Sequence, residues 1–588
     1  MALNRKQKTF AYVVAGILIV LIAGITIINI ILGNIIETQI KNSLNKHDTT
    51  NYHVELRKVN ANILTGNINL KDLKVSPDSM FIERVKKGGI EQSMAIELEI
   101  PTFRLAGINL YKAVTSQDIS INKILFKNAK FKFYVGNKSK KETKAGDDKK
   151  INIDSLYIKG IDGISIGKIE FTKCKFEIYD LVKEKVVIKN EELEFEIKDF
   201  YLIELEGNND YFRLQLDNVK VELTKEKFMV PGGNYYLNFD RMYFDLAESV
   251  LEFNKIEFKP TYADKYVLAK KLKFTTEIFD VTIKKLKISS FDVKRFVTDG
   301  VLSIDSINIE GMDLNVFKDK RFPFDEDKRP KMPQYGLKNM RLPLYIGKII
   351  LKDSYLNYQE RMESSTELMT AILADFNVQI HFITSIKDSI NTGKPMLINL
   401  QSKFMEKTPL TAKFILPFNS SVDTFYFSGH LASAELEEFN RASLPAIGVK
   451  FISGHLNELS FSGSGSSRYS GGKMTMLYTD LDAEVVKKNQ KDKSKFLSWA
   501  ANTVVHTSNP GKNNKLRVAI MEAERVIYKG FGNIVWKALQ SGIVNSVTPT
   551  GKIKKTSKEQ KKKEASTDKD TDTKENRKEK RKKKKGNK

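Results

Sequence analysis

A single cysteine in 588 residues, Cys174, excludes any intramolecular disulfide, so stability rests on packing and hydrogen bonds whichever side of a membrane the chain occupies. In its context FTKCKFEIYD it reads as a small strand residue rather than a reactive thiol. Histidine is scarce too: His47, His53, His381, His430, His455 and His506 stand singly, without cysteine partners, and no metal or cofactor is expected. His430 and His455 fall in matching phrases, SGHLASAEL and SGHLNELSF, which suggests equivalent positions of a repeat. The chain lacks a Walker-type phosphate loop, a Gly-x-Ser-x-Gly elbow and a His-Glu-x-x-His helix. GSGSS at 463–467 is a turn by composition. With no catalytic constellation to assemble, an enzyme is not expected.

Long apolar runs are as rare. The one present, FAYVVAGILIVLIAGITIINIIL from Phe10 to Leu32, carries no charge. As a helix it covers the roughly 30 Å hydrocarbon core of a bilayer. A cleaved signal is the alternative, but its apolar region is normally ~7–15 residues and ends at a small-x-small site. Arg5, Lys6 and Lys8 crowd the N-terminal flank, whereas Lys41 and Lys46 are offset by Glu37 and Asp48. The basic flank favours a cytoplasmic N-terminus (residues 1–9), a membrane span (10–32), a juxtamembrane connector (33–51) and a body outside the cytoplasm.

Helical periodicity is nearly absent between about residues 52 and 490. Alternation replaces it: Phe131/Phe133, Leu193/Phe195/Ile197, Phe212/Leu214/Leu216 and Leu251/Phe253 are spaced by two and interleaved with polar residues. The expected fold is mainly β, a long antiparallel sheet with one apolar face. Recurring I-x-x-I-x-I phrases, in ISINKILFKNAKFKFYV, IDSLYIKGIDGISIGKIEFTKCKFEIYD and LSIDSINIEGMDLNVFKD, suggest a degenerate strand-turn repeat. About 440 residues at roughly 12–15 per strand give ~30–35 strands. Two interruptions stand out: the charged stretch GNKSKKETKAGDDKK at 136–150, and the segment containing Pro323, Pro330, Pro333 and Pro343. The second divides an N-terminal β-region (52–322) from a C-terminal one (345–490), with 323–344 as linker or loop.

Near the end the period becomes helical. Phe496, Leu497, Ala500, Ala501, Val504 and Val505 fit one helix face, and Phe531, Ile534, Val535, Ala538, Leu539 and Ile543 another. Such short amphipathic helices within 491–550 either pack on the last sheet edge or face a membrane or partner. The net charge of +25 owes much to the tail: Lys552 to Lys588 holds 18 basic and 7 acidic residues. Residues 551–588 have no apolar period and are expected to be disordered, with anionic lipid or cell-wall polymer as a possible contact. Elsewhere basic and acidic residues interleave and aromatics take the apolar phase, which argues against nucleic acid.

The anchor, the phrase VNANILTGNINLKDLKV and the closing ISGHLNELSFSGSGSSRYSGGKMTMLYTDLDAEVV resemble AsmA-type envelope proteins, whose relatives include TamB and YhdP. VFKDKRFPFDEDKRPKMPQ followed by IGKIILKDSYLNYQE is similar to AsmA-like proteins of Bacteroidetes. The resemblance covers most of residues 1–550 in patterning and carries no catalytic signature. It implies an inner-membrane anchor, a periplasmic body and a sheet curled into a groove, similar to chorein-type bridge proteins, along which phospholipid acyl chains move in support of outer-membrane biogenesis. The alternating positions independently ask for a filler, since exposed apolar surface costs ~25 cal/mol per Å². Phe131, Phe133, Leu193, Phe195, Ile197, Phe212, Leu214, Leu216, Leu251 and Phe253 are the candidate lining, and Phe531, Ile534, Val535, Ala538 and Leu539 the candidate membrane or partner helix. A closed β-core serving as an envelope scaffold is the alternative.

Overall fold

The computed structural model describes residues 51–553 apart from 63–64, 89–93, 110–117, 137–162, 205–211, 214–218, 231, 294, 297–299, 341, 364–365, 486–504 and 512–513. The expected anchor, the helix face from 496 to 504 and most of the basic tail therefore lie outside the described residues. Among those described, no helix is long and apolar enough to cross a membrane.

Among the described residues one sheet of 22 strands runs through the chain. Its strands are β1 Tyr52–Asn62, β2 Asn67–Pro77, β3 Met94–Ile108, β4 Asp118–Lys127, β5 Lys130–Val135, β6 Gly163–Asp180, β7 Lys185–Glu204, β8 Phe212–Arg213, β9 Lys220–Met229, β10 Tyr235–Asp245 and β11 Val250–Pro260. Then follow β12 Glu277–Phe291, β13 Leu302–Asp319, β14 Leu344–Arg361, β15 Leu368–Thr384, β16 Met396–Phe404, β17 Thr408–Leu416, β18 Phe425–Leu431, β19 Ala434–Glu435, β20 Val449–Gly465, β21 Tyr469–Val485 and β22 Val518–Glu524. Among the described residues the number is below the ~30–35 expected from ordinary strand lengths, and strands such as β6 with 18 residues and β7 with 20 are longer than that expectation assumed.

Most neighbours are antiparallel, as the alternation implies, but the sheet is mixed. β4 and β5 lie end to end and pair with β6 in parallel, and β13 pairs with β14 in parallel. A parallel neighbour requires the chain to travel back along the strand before re-entering the sheet. The proline-rich segment makes that return between β13 and β14. It is a crossover between adjacent strands of a continuous sheet, and it carries the short helix α3, Pro333–Lys338.

The parallel partners are copies of one phrase. Inward positions run Ile121, Ile124, Phe126, Ala129, Phe131, Phe133 through β4, the joint at 128–129 and β5, and Ile166, Ile169, Phe171, Cys174, Phe176, Ile178 in β6; all are buried in one cluster. The spacing is three, two, three, two, two rather than a steady two. Each step of three is an irregularity in the ladder, where an added residue keeps both flanking side chains on one face. At the second step the backbone turns left-handed, at Asn128 (φ 58°) and Lys173 (φ 52°), and the same place in β13 and β14 is taken by Gly311 (φ 62°) and Asp353 (φ 49°). Glycine at 311 adopts this angle without strain. These kinks recur at Asp72, Lys225, Lys255 and Asp375, and a line of them bends long strands along one crease.

Short helices sit at strand ends: α1 Ser79–Lys87, α2 Lys265–Leu272, α4 Lys387–Asn391 and α5 Asn440–Ile447. Asp78 starts α1 by accepting from Met80 N at 2.6 Å, and Asp264 starts α2 by accepting from Tyr266 N at 2.7 Å. Five to nine residues display too little of the 3.6 period to announce a helix in the sequence. The last helix, α6 Phe531–Val547, is the one the sequence foresees.

Candidate functional site

Because paired residues of neighbouring strands share a face, the register traces an apolar lane across the sheet. It passes through Val59, Leu70, Phe103, Phe126, Phe171, Phe195 and Leu223. It continues through Met242, Phe253, Leu286, Ile309, Leu351, Val378 and Leu400. It ends through Ala412, Gly429, Phe461, Met474 and Ala519. Each position is apolar or glycine, so the lane has no polar step from β1 to β22.

Burial along the lane changes with position. From Val59 to Leu223 every side chain is buried, in a cluster that extends to Phe239. From Met242 to Phe461 the lane is half-buried, apart from Leu351 at the edge of full burial. At Met474 and Ala519 it is buried again, because α6 lies across β21 and β22. Gly542 allows that approach: a Cβ there would come within 2.6 Å of Met521 Cγ and 3.1 Å of Met474 Cε. The molecule thus has a closed section over β1–β9, an apolar section with partial solvent access over β10–β20, and a helical cap.

Five of the ten lining residues singled out by alternation, Phe131, Phe133, Leu193, Phe195 and Ile197, fall in the closed section, and Leu251 and Phe253 fall in β11. Phe131, Phe133, Leu193, Phe195, Ile197 and Leu251 are buried, and Phe253, half-buried, is the one that borders the accessible stretch. Phe212 begins the two-residue β8, and Leu214 and Leu216 lie outside the described residues. The accessible lining comprises residues such as Met242, Leu286 and Ile309. Strict period-two reading passes over some of these because the kinks shift the phase. In α6, Ile534, Val535 and Ala538 are buried, with Phe531 and Leu539 packed beside them, so this apolar face meets the sheet. Trp536 on the opposite side is 56% exposed. Val505 packs against the same cluster.

Among its described residues the closed section holds a fully buried carboxyl. Glu226 is fully buried opposite Phe239; one oxygen accepts from Glu194 N at 2.8 Å and the other from the Asn190 amide. It satisfies a backbone donor beside the Lys225 kink. Burial is the main force pushing its carboxyl up to about 7. Cys174 is buried between Ala129 and the crease, and burial likewise pushes its thiol up to about 12.

On the outer surface, Ser433 Oγ lies 3.0 Å from His455 Nε2 and His455 Nδ1 lies 2.9 Å from Glu435 Oε1. The order of groups is that of a Ser-His-acid relay, but all three sit on an open strand surface, with His455 43% and Glu435 60% exposed in their side chains. A relay of this kind works in a water-excluding pocket with aimed oxyanion donors, so we read it as a cross-strand surface pairing. His430 makes a related pair with Glu458 at 3.5 Å. The two matching SGHL phrases do not take equivalent places: the first closes β18 and the second lies inside β20, where His430 is paired with Ser460 rather than with His455. No group of three metal-binding side chains occurs among the described residues. A polar depression lined by Glu196, Lys198, Asp199, Lys220, Glu222 and Tyr243 is filled with paired charges, including Lys198–Glu196 at 2.5 Å and Lys220–Asp245 at 3.4 Å.

Neither a family model nor a curated protein matches this chain.

Proposed function

We propose that this is a membrane-anchored, non-enzymatic protein that holds or conducts phospholipid acyl chains along the inward face of its bent sheet, with its body outside the cytoplasm. The observation that carries this reading is the apolar lane, unbroken from Val59 to Ala519 and only half-buried between Met242 and Phe461. Over its half-buried stretch, a lane with no polar step gives a sliding hydrocarbon chain no barrier of desolvation at any strand from β10 to β20. Its accessible stretch costs ~25 cal/mol for each Å² left to water, which bound acyl chains remove. The uncharged run from Phe10 to Leu32 and its basic flank support the anchor and the orientation, and the resemblance to AsmA-type proteins agrees with an inner-membrane site and a role in outer-membrane biogenesis.

The second reading is a closed scaffold or assembly factor, favoured by the complete burial of the lane over β1–β9. Organic extraction and mass spectrometry of the purified chain separate the two. The lipid reading expects phospholipid at a defined ratio, reduced in a folded Leu286→Glu variant; lipid-free protein, or unchanged lipid in that variant, favours the scaffold. A reporter fused after Lys588 is expected to be active only in its exported form.

A further inference from the structure

At the end of β13 the inward face changes character. Val316 is buried and apolar, and Lys318, the next residue on that side, is a cation at the rim. Lys318 pairs with Glu277 across β12, and Lys320 pairs with Glu360 of β14. Directly beyond, Phe324 of the crossover meets Tyr528, with ring centres 5.9 Å apart. The Lys529 ammonium lies 4.0 Å from the Phe324 ring centre, and that of Lys318 lies 6.0 Å from the same ring. Arg525 anchors this contact by donating to the Pro330 carbonyl.

Among the described residues no carboxylate pairs with Lys529, and after burial, repulsion from Lys320, Lys537 and Lys318 holds its ammonium below the ordinary lysine range; Glu360 alone opposes this. Lys318 and Lys320 are each matched by a carboxylate, Glu277 and Glu360, whereas Lys529 has none of its own among the described residues. The Phe324 ring attracts the Lys529 ammonium, but the mutual repulsion of the neighbouring lysines remains and is relieved further when another anion joins them.

We infer that this rim cluster binds the negatively charged headgroup of a phospholipid whose acyl chains lie on the half-buried lane. Lys529 supplies the charge that no carboxylate among the described residues matches, Lys537 of α6 adds to the positive field around it, Lys318 and Lys320 complete the cradle, and the switch from Val316 to Lys318 matches the boundary between tail and headgroup. The inference rests on the lipid reading above and adds the headgroup class to it.

The test is calorimetric binding of dihexanoyl phosphatidylglycerol, dihexanoyl phosphatidylcholine and inorganic phosphate to the full chain and to a Lys529→Gln/Lys537→Gln variant of unchanged melting temperature. The wild type is expected to prefer the anionic lipid by roughly fivefold for each lysine engaged, and the variant to lose that preference while still binding the zwitterionic lipid. Equal affinities in the wild type, or an undiminished preference in the variant, overturn the headgroup site. Inorganic phosphate that binds as tightly as phosphatidylglycerol and is not displaced by it also overturns the assignment, in favour of a free-anion site. Failure of both lipids to bind refutes the acyl-chain reading itself, whereas loss of selectivity alone leaves that reading standing.

Discussion

Phe126 and Phe171 stack face to face across a parallel strand pair, with ring centres 4.6 Å apart and planes within 1°. They hold the same place in two copies of one phrase, and Phe195 extends the stack, 4.1 Å beyond Phe171. Parallel pairing in register sets identical positions side by side, so an aromatic in the repeat becomes an aromatic ladder. The three rings are buried in the closed section.

Phe171→Ala is therefore expected to cost about 3–5 kcal/mol, the range for truncating a buried phenylalanine whose surroundings collapse little. Phe253→Ala, on the half-buried stretch of the same lane, is expected to cost clearly less stability and to lower bound lipid. Denaturant melts paired with lipid quantification check both. Equal stability losses at the two positions would mean that the section over β10–β20 is as closed as β1–β9.

Glu226 gives the closed section a pH dependence of definite sign. Its carboxyl stands at about 7 in the fold against an ordinary value of 4.5, because burial favours the neutral acid. The associated stability is fully present below about 4.5, falls as pH rises through about 7 and is gone above that. Glu226→Gln keeps an acceptor for Glu194 N without the charge. It is expected to flatten this part of the profile and to exceed the wild type above pH 7 by on the order of 3 kcal/mol at most. Thermal melts at several pH values between 4 and 8 measure it; parallel profiles for the two proteins would show that Glu226 is not the titrating group.

The sheet was legible in the sequence because alternation between Phe, Ile or Leu and Lys or Glu survives in nearly every strand. The repeat was visible as I-x-x-I-x-I, yet its meaning was not: a spacing of three looks like a lapse in a strand, and only the ladder shows that Ile166 and Ile169 share a face across Gly167. Parallel steps were invisible because strand direction leaves no mark on a buried phrase. The division of the lane into closed and accessible sections was also hidden. Phe195 and Phe253 sit in the same kind of alternation and differ only in what the bent sheet brings over them. The rim lysines come from positions 318, 320, 529 and 537, and no local pattern joins them.

Cys174 occupies the place that Ala129 fills in the neighbouring copy, and its Sγ approaches the Phe126 carbonyl at 3.6 Å. With its thiol pushed up to about 12 and shielded by packing, hardly any thiolate exists at pH 8. Ellman's reagent is expected to leave the native chain unlabelled at pH 8 and to titrate one thiol in guanidinium. Prompt labelling of native protein would show that the closed section opens readily between β5 and β6.

The start of the basic tail belongs to the fold, contrary to its compositional reading as disordered from residue 551. Ile553 bridges to Ala519, the Lys552 carbonyl accepts from Ile520 N at 2.9 Å, and the Lys552 ammonium pairs with Glu522. These contacts cover the outer edge of β22, which otherwise presents unpaired backbone groups. Two truncations should therefore behave differently. Ending the chain after Thr550 strips the edge and is expected to lower the melting temperature, since each lost hydrogen bond is worth about 0.5–1.5 kcal/mol. Ending it after Ile553 is expected to leave the melting temperature unchanged while removing most of the tail's positive charge. If that charge tethers the chain to acidic surfaces, the second truncation weakens binding to anionic vesicles at ~0.01 M salt, where the Debye length is ~30 Å, and matters far less at 0.15 M, where it is ~8 Å. Vesicle binding that is equal with and without residues 554–588 at low salt refutes the tether and leaves the exposed Trp536 side of α6 as the surface to test.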